Sequence, residues 1–115
     1  PFWAAKGAKD AGGVSIGLSP ASNEREHVEG YKLPLDYMDL IIYTGFGFPG
    51  RDILFTRSCD AVIIGCGRIG TIHEFTIAFE DGKPIGIGKG DLKAMESQRG
   101  CCTETAVTCT AAVQA

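Results

Sequence analysis

The sequence has no run of 18 apolar residues, so no membrane-spanning helix is expected. Nor does it show a basic n-region followed by an apolar h-region, so these 115 residues hold no signal peptide. Positive charge is not in excess: 11 Lys and Arg stand against 14 Asp and Glu, a net charge of -3. That removes the electrostatic footprint of a nucleic-acid binder. No C-x-x-C pair occurs among the five cysteines (Cys59, Cys66, Cys101, Cys102 and Cys109), and only His27 and His73 could assist them. Zinc-type ligand spacing is therefore missing, and free thiols in a reducing compartment with no metal are expected. Aromatic residues are absent after Phe79, and residues 89–115 hold only Leu92, Val107 and Val113 from the Leu/Ile/Val/Phe set. Such a segment cannot bury enough apolar surface to offset its ordering entropy. Residues 89–115 are read as an irregular or disordered tail, a composition that a shifted reading frame would also give. The first residue is Pro1 rather than Met, which reads as a fragment, a processed form or an incomplete reading frame.

What is present is a globular balance, 44% apolar and 22% charged, with 16 glycines gathered between the apolar runs. The length suits one small domain. Trp3–Ala11 reads as the end of a helix stopped by Gly12-Gly13. Val14, Ile16 and Leu18 make a short strand, and residues 19–36 a polar loop broken by Pro20, Gly30 and Pro34. Met38–Tyr43 is a continuous apolar strand, followed by the glycine-rich turn Thr44–Gly50. Gly50–Cys59 reads as a helix with Ile53, Leu54 and Phe55 as its buried side. Asp60–Gly65 is a second apolar strand, and a further glycine-rich turn leads into a helix over Gly70–Asp81. Gly82 ends that helix, and Pro84–Ile87 is the last strand. Continuous apolar strands buried on both faces and alternating with helices indicate an α/β fold. The expected form is a Rossmann-like parallel sheet with flanking helices, a three-layer αβα arrangement over residues 1–88 that is incomplete at its N-terminus.

In open α/β sheets, ligands bind beyond the carboxyl ends of the strands, which singles out the two glycine-rich turns. The second, Gly65-Cys66-Gly67-Arg68-Ile69-Gly70-Thr71, runs straight into a helix. Unpaired N–H groups and the positive dipole end there suit an anion, and Thr71 and Arg68 can add a donor and charge. The plainer reading is a tight reversal of the chain. Thr71-Ile72-His73-Glu74 also fits a T-x-x-E capping box, which needs no catalysis. Thr71 and Glu74 share one helix face, placed toward the mouth of the site, with Ile72, Phe75 and Phe79 packed inward. His73 is read as partly buried or on the surface, with no role. Arg51 opens the preceding helix, where a cation gains nothing from the dipole; it either faces an anionic ligand or is simply solvated. Phe46 and Phe48 flank Gly47 and either stack on a base or ring or pack into the core.

Several of these motifs in one order resemble the Lonely-guy family of cytokinin-activating phosphoribohydrolases and the wider Rossmannoid group around it. That family's signature is P-G-G-x-G-T-x-x-E after a buried strand, matched here by Cys66–Glu74 with Cys66 in place of the proline and Arg68 in place of the second glycine. An arginine nine residues before the Asp of an S/A-D-A stretch is matched by Arg51 and Asp60. Gly7–Gly13 and Gly82-Lys83-Pro84-Ile85 resemble two further family motifs, so the resemblance covers residues 4–88. The family's earlier phosphate loop and its closing helix have no counterpart, and the first turn is closer to an uncharacterised, DNA-processing-related branch. The resemblance implies a nucleotide or other phosphorylated small molecule as partner. Gly67, Arg68, Gly70 and Thr71 would hold phosphate, Arg51 and Glu74 would act on the N-glycosidic bond of a nucleoside 5′-monophosphate, and Phe46 and Gly47 would meet base or ribose. It further implies no cofactor, a homodimer and a cytoplasmic location. Two functions stand: a phosphoribohydrolase, or a module that senses a nucleotide or similar ligand without turning it over.

Overall fold

A computed structural model describes residues 2–65 and 67–87 in full and the backbone of residues 107–110. The chain divides into two compact units, residues 2–51 and the residues from Asp52 onward.

The first unit opens with helix α1, Phe2–Asp10. Its end is a Schellman closure: Gly12, at φ 75°, donates to Lys9 O at 3.0 Å, and Gly13 donates to Ala8 O at 2.7 Å. Only a residue at ease with positive φ closes a helix this way, so the two glycines stop α1 where expected. Strands β1, Ile16–Ser19, and β2, Leu40–Tyr43, pair in parallel with Ile16 opposite Leu40. Lys9 reaches Asp39 at 2.6 Å, and the Ser15 N–H donates to the same carboxylate at 2.8 Å. Together they hold the Asp39 carboxyl below the usual carboxylate range, the Lys9 hydrogen bond contributing most.

The loop between these strands is better ordered than its polar composition suggests. Glu26–Gly30 forms a single π-helical turn. His27 is buried, with Nε2 3.1 Å from Pro34 O and Nδ1 2.8 Å from Ser19 Oγ. A carbonyl only accepts, so Nε2 carries the proton and the Ser19 hydroxyl donates to Nδ1. His27 is thus a structural tie between the loop and the end of β1.

Helix α2 spans Gly47–Arg57 and begins three residues earlier than expected. Pro49 lies in its first turn, where a missing N–H costs nothing, so only Thr44–Phe46 remain of the glycine-rich turn. Arg51 therefore sits in the second turn rather than opening the helix. Gly50 is required by crowding, because a Cβ there would come within 2.6 Å of Phe46 Cβ.

In the second unit, β3 (Ala61–Ile64) pairs in parallel with β4 (Ile85–Ile87). On its other side it pairs antiparallel with β5, Val107–Thr110, giving the order β4-β3-β5. The sheet is therefore mixed, with an antiparallel edge strand, a common addition to parallel sheets. That strand lies inside the segment read as an irregular tail; the rest of that segment lies outside the described residues. Helix α3 runs Ile69–Glu80 and also ends in a Schellman closure, with Gly82 at φ 65° and Lys83 N–H donating to Ala78 O at 2.9 Å.

Burial departs from expectation in a regular way. The core of this unit is Cys59, Val62, Ile64 and Ala78, with Phe55 and Ile85 packed against it. Ile63, between two buried neighbours in β3, is exposed, as are Ile87 and, in the first unit, Ile16, Leu40 and Ile42. Side chains alternate across a strand, so one sheet face is packed and the other is open among the described residues, not both covered. On α2, Asp52 and Thr56 are buried while Ile53 and Leu54 are exposed. Cys59 is disulfide-bonded, so the free-thiol expectation fails there. The architecture is α/β, with parallel strands and flanking helices, as expected of a Rossmann-like domain. No helix among the described residues is long and apolar enough to cross a membrane.

Candidate functional site

The two glycine-rich turns follow β2 and β3, at the carboxyl ends of parallel strands. The first is stitched to the end of β1. Thr44 donates to Ser19 O through both its N–H (3.1 Å) and its hydroxyl (2.7 Å), and the Gly45 and Gly47 N–H groups reach Ala21 O and Pro20 O. Gly47 itself has φ 64°. Phe46 projects into solvent at 67% exposure, and Phe48 is half-exposed with its ring 5.2 Å from that of Tyr31, edge to face. Phe46, Gly47 and the half-buried Arg51 all belong to the first unit.

The remaining predicted residues belong to the second unit and converge on the start of α3. Arg68 is the N-cap residue, exposed and without a side-chain capping bond. Gly67 lies before it, Gly70 in the first turn, and Thr71 is the third helical residue; Cys66 lies outside the described residues. No acidic side chain of α3 occupies its first turn. The capping box is not formed, because Thr71 lies inside the helix rather than at its cap. Its hydroxyl is buried and has no hydrogen-bond partner.

Glu74 follows one turn on and is only 3% exposed. Thr71, Glu74 and Ala78 form the buried face of α3, whereas Ile69, Ile72, Phe75 and Phe79 are exposed. This reverses the expected orientation, in which the apolar residues packed inward. A buried carboxylate and a buried orphan hydroxyl are costly in a fold, and residues retained at such cost are candidates for chemistry.

One contact was not anticipated. His73, read as having no role, has Nδ1 3.1 Å from Oδ2 of the buried Asp52. A Cβ at Gly70 would lie 3.8 Å from the same oxygen, so the Asp52 carboxylate stands beside the first turn of α3. No sequence signal connects residues 21 apart on two helices; only the burial of Asp52 exposes the pair. Among the described residues no group of three or more His, Cys, Asp or Glu could hold a metal ion.

The sequence model of the SLOG cluster4 family matches residues 1–114. An uncharacterized protein of Archaeoglobus fulgidus is 35% identical over 81 residues, covering 70% of this chain and 48% of that protein. The X-ray structure of TM1055, a structural-genomics target, superposes with a TM-score of 0.59 at 28% identity, over 70% of this chain and 42% of that one. The chain thus spans less than half the length of either relative. These findings carry the superfamily and the fold, and not the Lonely-guy branch within it.

Proposed function

The chain belongs to the SLOG cluster4 family, and from that premise we propose that the start of α3 holds the 5′-phosphate of a nucleotide. The proposed reaction is hydrolysis of a nucleoside 5′-monophosphate to free base and ribose 5-phosphate. The observation that carries this reading is the buried, unpartnered Thr71 hydroxyl in the first turn of α3, one turn before the buried Glu74. Backbone N–H groups of a first turn, the helix dipole and a donor hydroxyl together favour a phosphate. Gly67 and Gly70 let the backbone come close to it, and Arg68 adds positive charge.

Glu74 supplies a carboxylate for the sugar. As the C1′–N bond breaks, its electrons leave with the base and positive charge grows at C1′, which a carboxylate stabilises. The same group accepts a proton from the attacking water as its oxygen bonds to C1′, and a proton then passes to the departing nitrogen, so that the neutral base leaves and Glu74 is restored. A homodimer and a cytoplasmic location are parts of the same proposal, the first checked by light scattering.

Arg68, where the Lonely-guy signature has glycine, favours a second reading: a module that binds the nucleotide without cleaving it. One experiment separates the two. The chain is incubated with a panel of nucleoside 5′-monophosphates, and ribose 5-phosphate release is followed for wild type and Glu74→Gln. Release that is lost in the variant supports hydrolysis. Binding without release from any member selects the sensor.

A further inference from the structure

Helix α3 carries a continuous apolar stripe that no described residue covers. Ile69, Ile72, Phe75 and Phe79 recur at three- and four-residue spacing, so they share one side of the helix. They are 79%, 53%, 37% and 66% exposed, clear of the side that buries Thr71, Glu74 and Ala78. Thr76 lies among them and is also exposed, but its hydroxyl donates back to Ile72 O at 2.8 Å, which leaves its methyl group to the stripe. Phe75 and Phe79 are already stacked, with ring centroids 6.1 Å apart and planes at 27°. A partner therefore meets a surface that is in part pre-ordered. His73 and Glu80 border the stripe, and no ionisable side chain interrupts it.

The exposed area is of the size an interface needs. At roughly 200 Å² for a full side chain of this size, the four residues leave roughly 400–500 Å² open to solvent. Two copies face to face would cover roughly 900 Å² from the stripes alone, close to the ~1,000 Å² of a specific interface before any bordering side chain is counted. An uncharged stripe also meets its own copy without like-charge repulsion.

The charges at the helix ends favour a copy over a different partner. Helix α3 has no acidic residue in its first turn and no basic residue in its last. Exposed Glu80 stands instead at its C-terminal end, the wrong sign for its own dipole. The next acidic residue, Asp81, is taken up by Arg57 at 3.0 Å, but Glu80 has no ion pair among the described residues. A two-fold axis perpendicular to α3 sets two such helices antiparallel. Each Glu80 then lies beside the N-terminal end of the other helix, where a carboxylate is stabilised. About two and a half turns separate Thr71 from Glu80, so that carboxylate arrives on the side opposite the Thr71 hydroxyl.

We propose that a second copy of this chain covers the stripe, with the two α3 helices antiparallel about a two-fold axis. This rests on the homodimer of the proposed function and names its face.

The test is sedimentation equilibrium of the full chain, with non-reducing electrophoresis to exclude disulfides between copies. Wild type should be a dimer. Ile72→Ser and Phe79→Ser, at exposed positions, should raise the dimer Kd about a hundredfold or more, because each loss counts twice across a two-fold interface, and leave the far-ultraviolet circular dichroism unchanged. Glu80→Lys should weaken the dimer by about three- to thirtyfold without lowering the stability of the monomer, since lysine suits the C-terminal end of its own helix. A monomeric wild type would overturn the proposal and the homodimer together, and leaves the phosphate reading to its own titration. A dimer untouched by all three variants would overturn the α3 face alone and put the homodimer elsewhere. Weakening by the serine variants with no effect of Glu80→Lys would overturn the antiparallel arrangement. Should a serine variant fail to fold, Glu80→Lys still decides.

Discussion

Replacing Thr71 with Val should make the ligand-free protein more stable and a poorer binder. Valine keeps the shape and the β-branching of threonine, so packing and helix propensity barely change. What is lost is a buried hydroxyl with no hydrogen-bond partner. Leaving such a group unsatisfied costs about 1–3 kcal/mol, and removing it should recover roughly 1 kcal/mol or more. At this size that corresponds to a rise in Tm of about 4–8 °C per kcal/mol. The same hydroxyl is the proposed donor to phosphate. A hydrogen bond to a charged acceptor is worth about 1.5–3 kcal/mol, so the Kd for ribose 5-phosphate should rise roughly tenfold to a hundredfold. Thr56 is the internal control: its hydroxyl is also buried and unpartnered, but on α2. Thr56→Val should raise Tm comparably and leave binding unchanged. Thermal unfolding and calorimetry on the two variants suffice. A fall in Tm for Thr71→Val would refute the idea that the hydroxyl is unsatisfied, and a raised Tm with unchanged Kd would remove Thr71 from the site.

Three further outcomes follow from the geometry. Gly50→Ala should displace Phe46, because the new Cβ would meet Phe46 Cβ at 2.6 Å; a cost of about 1–3 kcal/mol is expected from overpacking, with changed aromatic chemical shifts as the local readout. Lys83 donates from Nζ to Arg57 O at 3.1 Å and to Cys59 O, closing the end of α2; Lys83→Met should lower stability by about 1–2 kcal/mol, measured by urea unfolding. Asp39, whose pKa is lowered mainly by the hydrogen bond from Lys9, stabilises the fold above the ordinary carboxylate range, and that contribution is lost as pH falls through the lowered value. The unfolding free energies of wild type and Asp39→Asn, measured by urea unfolding at a series of pH values, should therefore converge at low pH and separate near neutrality; a constant difference at all pH values would sink this account.

Helix ends were the most legible features. Gly12 and Gly82 each take positive φ and close a helix where the glycine placed the boundary, because no other residue does this without strain. Strands β1 to β4 were visible as apolar runs. Strand β5 was not, since Val107–Thr110 owes its strand state to pairing with β3 rather than to any pattern of its own. The start of α2 was misread because Gly47 and Gly50 suggested a turn, whereas Pro49 was the stronger cue. The candidate site rests on a local signal, glycines leading into a helix after β3. Spacing put Thr71 and Glu74 on one helix face, and both are buried there, but the Asp52–His73 contact joins distant helices and no local pattern encodes it.

Helix α3 wears its polarity inside out, with Thr71, Glu74 and Ala78 enclosed and Ile69, Ile72, Phe75 and Phe79 facing water. In a complete substitution scan of this helix, tolerance would therefore run out of phase with hydrophobicity. Serine or lysine at the large apolar positions would leave the fold intact. A single added methyl at Ala78, which is fully enclosed, would not be absorbed without displacing its neighbours.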